Sequence, residues 1–213
     1  FPQNNVSLLC HSRGGLIARK FMEENPRVIR ALITLSTPHK GSSLSLIGKH
    51  LSPLSSFLKG ILPMQTHGTV SDVVKRMTDL IEGAALKELM PGSDFFKNLR
   101  DVPVKGVKYL SFGGSKTELV TVYKWKKKDD IMYPKPVLTI PDSLIKILPA
   151  SILPDELKPG KGYFMVTTES SVLPWASSHY DLHANHISIT WNRRVISAVL
   201  EVLEKISPAP STN

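Results

Sequence analysis

Cysteine occurs once in the 213 residues, as Cys10. No disulfide can close within this stretch, and no thiolate cluster can hold zinc. The scarcity leans toward a reducing, intracellular setting. No apolar run approaches the ~18 residues that a membrane-spanning helix requires. Acidic residues are few, 18 against 27 Lys and Arg, for a net charge of +9. No nucleic-acid-binding motif accompanies that excess, so charge alone does not point to nucleic acid as a partner. No His-x-x-x-His pair reads as helical, so neither a metal nor a cofactor is expected. Internal repeats are absent, and so is an initiator methionine. The chain opens at Phe1, which leaves a signal peptide open. What remains is globular: 41% hydrophobic and 21% charged residues suffice for one domain with a core.

The most informative segment is Cys10-His11-Ser12-Arg13-Gly14-Gly15. The apolar run Val6-Ser7-Leu8-Leu9 precedes it and Leu16-Ile17-Ala18-Arg19-Lys20-Phe21-Met22 follows. Strand, tight turn with a serine at its tip, then helix is the pattern a nucleophile needs. The hydroxyl must stand clear of the backbone so that a base can reach it. The neighbours must be small because strand and helix pack closely there. Gly14 and Gly15 meet that need, with Cys10 as a small residue on the strand side. A helix starting after Ser12 aims N–H groups at a developing oxyanion, the Arg13 N–H among them.

Val28 to Ser36 reads as a strand buried on both faces, and Asn25-Pro26 ends the helix before it. Strand, helix and strand make a βαβ unit. Thr37-Pro38-His39-Lys40-Gly41-Ser42 then leaves the strand's C-terminal end, where ligand sites gather in open α/β sheets. Residues 43–105 read as helical, with an amphipathic helix over 73–81, and are expected to form a lid or cap. Val107 to Phe112 reads as the next strand, stopped by Gly113-Gly114. Residues 115–162 form a second insertion, with a short helix over 144–148. Tyr163 to Thr167 reads as a further strand. Ile187 to Ile206 carries an apolar stripe and reads as the closing helix.

His-Ser-x-Gly-Gly, followed by Thr-Pro-His-x-Gly-Ser, resembles the lipase and esterase branch of the α/β-hydrolases. The resemblance implies a parallel sheet with flanking helices and a helical lid. It implies further strands upstream of the elbow, so the chain is expected to be the C-terminal part of a longer protein. It also implies a Ser-acid-His order along the chain. Ser12 is then the nucleophile. His186, in Asn185-His186-Ile187, is similar to the Asn-His before the last helix of bacterial lipases and is the expected base, with His179 and His183 as alternatives. The lipase acid frame Asp-Gly-x-Val-Pro-x-x-Ser-Ser is matched by Glu169-Ser170-Ser171-Val172-Leu173-Pro174-Trp175-Ala176-Ser177-Ser178. Glu169 is therefore the expected acid, although Glu replaces Asp and Ser170 replaces Gly. Glu118, after the previous strand, is the alternative, and Asp181 stands too close to His186. His11 and His39 are candidates for a substrate pocket; a turn hydrogen bond is the plainer reading of His39.

The expected function is hydrolysis of carboxylic esters, lipid acyl esters in particular, through an acyl-enzyme. A lipid acyltransferase with the same triad and a non-catalytic relative are the competing classes. Lys124, Lys126, Lys127 and Lys128, with Trp125 among them, read either as a solvated loop or as a contact with anionic lipid headgroups. Substrate identity, acyl-chain length and oligomeric state stay open.

Overall fold

Four short segments become four parallel strands in the computed structural model, which describes residues 6–43, 87–118, 120–129, 131–140, 155–158, 161–163 and 165–206. They are β1 (Val6–His11), β2 (Ile29–Leu35), β3 (Lys108–Gly114) and β6 (Ser178–Leu182), in the order β1-β2-β3-β6. Their register aligns the C-terminal ends: His11 pairs with Leu35, Leu35 with Phe112, and Phe112 with Tyr180. The loops that carry the site therefore leave one edge of the sheet.

Helices cover both faces, and strand alternation decides which residue faces which helix. On one face α1 (Arg13–Glu24) buries Leu16, Ala18, Arg19 and Met22, spaced as one side of a helix. Ala18 and Met22 join Ile29, Leu32, Tyr109 and Leu173 in one cluster. On the other face Val195 and Val199 of α4 (Arg193–Ile206) pack with Ile33, Leu35, Leu110, Phe112 and Leu182. Leu32 and Ile33 thus serve opposite layers, which is why β2 is apolar almost throughout. Each such side chain, fully buried, contributes about 1.5–3 kcal/mol.

Four elements depart from the sequence reading. Among its described residues, the stretch Tyr163 to Thr167 forms no strand. It makes one isolated bridge, Gly162 with Thr167, and leads into the short helix α3 (Thr168–Ser171). Tyr163 and Val166 are fully buried, so their apolarity packs a core from a turn rather than filling a ladder. The last strand is instead β6, Ser-His-Tyr-Asp-Leu, which among the described residues pairs with β3 alone. An edge strand is covered less completely than a central one and needs fewer apolar residues, so its sequence carries little signal. The insertion at 115–162 holds an antiparallel ribbon, β4 (Val120–Lys128) with β5 (Ile131–Ile140). The closing segment also splits into a 3₁₀ turn over Ser188–Trp191 and α4, which Asn192 caps by accepting the Arg194 N–H at 2.9 Å.

The chain divides into two compact units, Phe1–His39 with Arg100–Asn213, and Lys40–Leu99. Most of the expected lid, including its helix over 73–81, lies outside the described residues, as does the helix over 144–148. In the second unit, α2 (Asp94–Lys97) is capped by the Ser93 hydroxyl. Among the described residues no helix is long and apolar enough to cross a membrane.

Candidate active site

Ser12 joins β1 to α1 with φ 55° and ψ −133°. A non-glycine residue with positive φ costs on the order of 1–3 kcal/mol and needs its surroundings to hold it there. Three contacts do so. The Ser12 N–H donates to the Leu35 carbonyl at 2.8 Å, and the Thr37 hydroxyl donates to the Ser12 carbonyl at 2.9 Å. The Gly15 N–H closes the turn on that same carbonyl at 3.1 Å. The end of β2 thus clamps the elbow. A Cβ on Gly15 would run into the Thr37 side chain, so glycine is required by close approach. Burial pushes the Cys10 thiol up, so it is a small packing residue and not a thiolate.

His186 lies in the loop after β6 and is 4% exposed. Its Nε2 stands 3.0 Å from Ser12 Oγ, the geometry of a hydroxyl and its base. The loop is built around Asn185, whose side-chain oxygen accepts the N–H groups of Ile187 and Ser188 at 3.0 and 2.7 Å. The Ser188 hydroxyl in turn accepts the Asn185 N–H at 3.0 Å. His11 donates from Nε2 to the His186 carbonyl at 2.8 Å, and its ring lies 4.8 Å from the His186 ring. Tyr163 stacks near the same ring at 6.0 Å. Burial, and secondarily the charge of His11, bring the His186 imidazole down to about 3. It is neutral at ordinary pH, with a lone pair available.

The third position is open. Among the described residues His186 Nδ1 is buried without a hydrogen-bond partner. Glu169 is exposed on α3, between the cap Thr167 and the buried Ser170 and Ser171. Glu118 ion-pairs with Lys116 at 3.5 Å. Its loop is tied to the His186 segment: the Ser115 N–H donates to the Leu182 carbonyl at 3.0 Å and the Lys116 N–H to the Ala184 carbonyl at 3.1 Å.

His39 and His179 have partners of their own. His39 is 5% exposed, bonded through Nε2 to the Thr34 hydroxyl at 3.0 Å, and its N–H donates to the Ser170 carbonyl at 2.7 Å. Burial first, then Arg19 and His179, hold it down to about 3. These bonds tie His39 to β2 and α3. His179 bridges Ser111 Oγ at 2.8 Å and Asp181 Oδ1 at 3.1 Å, a Ser-His-Asp chain away from the elbow. Ser111, however, is fully buried inside β3 and accepts the Leu173 N–H, so a substrate has no access to it. His183 is exposed. The contact of Tyr163 with His186 had no signal in the sequence, because 23 positions separate them in the chain. Among the described residues no cluster of three metal-ligating side chains occurs.

Comparison with known proteins supplies the relatives. The family described as PGAP1-like alpha/beta domain matches residues 1–203. No curated protein matches the chain. The mature lipase BlEst2 of Bacillus licheniformis is similar in structure at a TM-score of 0.51 and 18% identity, over 94% of this chain and 66% of that one. Lipase 1 of Pelosinus fermentans is similar at 0.51 and 15% identity, over 96% and 72%. A thermophilic esterase is similar at 0.50 and 15% identity, over 96% and 68%. At these identities the likeness establishes a shared fold: a parallel sheet with flanking helices, as in α/β-hydrolases. The chain spans about two thirds of the length of these proteins.

Proposed function

The chain belongs to the PGAP1-like alpha/beta domain family, and from that premise we propose that it is a serine hydrolase of carboxylic esters, acting on lipid acyl esters. One observation carries the proposal: Ser12 Oγ stands on a strained elbow 3.0 Å from Nε2 of a buried, neutral histidine. The similar solved structures are named lipases and an esterase, which supports ester chemistry in general. In the proposed reaction Ser12 Oγ attacks the ester carbonyl while His186 takes its proton. The N–H of Arg13, at the start of α1, meets the developing oxyanion. His186 then protonates the leaving alcohol, and water resolves the acyl-enzyme. An acyltransferase would share every step but the last, with an alcohol acceptor in place of water.

The orienting acid is Glu169 on the strength of its sequence frame. A second reading, Glu118, is favoured by the two backbone bonds that tie its loop to residues 182–184.

A serine-directed fluorophosphonate probe tests the core of the proposal. Wild type is expected to label and to turn over a chromogenic ester. Ser12→Ala is expected to lose labelling and to lose roughly 10⁴-fold or more in turnover while keeping its melting curve. Near-normal turnover by that variant would remove Ser12 from the mechanism.

A further inference from the structure

We propose that the β4–β5 ribbon docks the protein on an anionic lipid surface. Among the described residues its strands pair only with each other, outside the four-stranded sheet. A two-stranded ribbon is marginal unless one of its faces is covered. The apolar side chains near its turn are nevertheless in solvent: Trp125 is 64% exposed, Ile131 69% and Met132 54%, with Tyr133 also exposed. These are large residues that a water-facing loop has no reason to carry together.

The register arranges them with charge. Trp125 pairs with Pro134 and Lys127 with Met132, while Lys126 pairs with Tyr133 and Lys128 with Ile131. Directly opposed residues share a face, so each face of the ribbon offers apolar surface and lysine together. Ile131 to Pro134 gather the apolar residues on β5, and β4 holds the basic run with Trp125 inside it. Residues 120–140 contain five lysines against two aspartates, Asp129 and Asp130. That composition identifies the occupant. A protein groove would cover the apolar residues but leave the lysines unmatched. A nucleic acid would match the lysines but not Ile131 and Met132. A bilayer interface takes both: Trp and Tyr settle at headgroup depth, and Lys stems lie along apolar surface with their ammonium groups among phosphates. The ribbon also leaves the C-terminal edge of β3, the edge from which the Ser12 and His186 loops emerge, so docking would turn that edge toward lipid.

Co-sedimentation of the full chain with vesicles tests this independently of Ser12 chemistry, because it reads binding and not turnover. Vesicles of phosphatidylcholine alone are compared with a two-to-one mixture of phosphatidylcholine and phosphatidylserine. Binding to the mixed vesicles, weakening as salt is raised, is expected. The pair Lys126→Gln and Lys128→Gln should cut partitioning ~10-fold or more, since each basic residue near such a surface adds roughly a 5-fold factor. Trp125→Ser with Met132→Ser should also cut it, with far-UV circular dichroism unchanged because both side chains are solvent-facing. Brominated lipid should quench tryptophan emission in wild type and do so less in Trp125→Phe. Three results would overturn the proposal: equal partitioning to both vesicle types, indifference to both pairs of substitutions, or displacement by heparin with no Trp125-dependent quenching, which would mark the ribbon as a simple polyanion site.

Discussion

A methyl group added to each of two neighbouring glycines meets very different surroundings. On Gly15 it would collide with the Thr37 side chain, whereas on Gly14 its nearest neighbour is Cys10 Cβ at 3.9 Å. Thr37 holds the Ser12 carbonyl, so moving it would loosen the elbow itself. Gly15→Ala is expected to cost about 1–3 kcal/mol, the usual range for overpacking, and to reduce probe labelling of Ser12. Gly14→Ala should be neutral or slightly stabilising, because alanine is the better helix former by up to ~1 kcal/mol. Urea denaturation of the two variants checks this, and equal midpoints would show that the turn relaxes around Thr37. The same residue-level reasoning separates the two serine-histidine pairs. Ser111 with His179 has good distances but lies in a buried ladder, while Ser12 with His186 sits at a sheet edge.

Two elements carry the candidate acids, and each holds its glutamate differently. Glu169 rides on the four-residue α3, whose cap Thr167 and neighbour Ser171 are hydrogen-bonded locally. Glu118 rides on the loop that continues β3 and is stitched to the segment just before His186. Whichever carboxylate reaches Nδ1–H would hold the imidazole in the tautomer that leaves Nε2 free to accept the serine proton. Amide replacement of such an acid costs up to ~10⁴-fold in kcat. On the sequence frame Glu169→Gln is expected to show that loss and Glu118→Gln a small one. Steady-state kinetics of the two single variants decide it, and the reverse order would hand the role to the loop after β3.

The molecule as a whole should be sensitive to acid because two of its described histidines are buried and neutral. His39 and His186 both fall to about 3 in the folded chain, chiefly through burial, while an unfolded histidine titrates near ~6.5. Between those values the unfolded chain binds more protons than the folded one. Stability therefore falls as pH drops from about 6.5 toward 3, and these two groups add no slope above that window. Urea midpoints measured from pH 8 down to 4.5 should be level at first and then decline. A constant midpoint across that range would mean that the two imidazoles are protonated without unfolding.

The elbow, the βαβ unit and the stripe of the closing helix were legible in the amino-acid order because each is a local pattern. Apolar runs, paired glycines and 3.6-residue spacing act within a few residues. The central strand β2 was legible for the same reason: burial on both faces forces continuous apolarity. Long-range packing decided the rest. β6 is polar because it is an edge strand, so nothing in Ser178–Leu182 announced it, while Tyr163 and Val166 imitated a strand because the core needs bulk from a turn. The ribbon β4–β5 draws its stability from cross-strand pairing, which leaves no strong alternation to read. Ser12 and His186 could be named from the chain alone, but their 3.0 Å approach spans 174 positions. It exists only because the sheet register aligns the C-terminal ends of β1 and β6 on one edge. The sequence determined the groups available for chemistry; the tertiary structure decided which of them meet, because a proton passes between side chains only when packing holds them at hydrogen-bond distance.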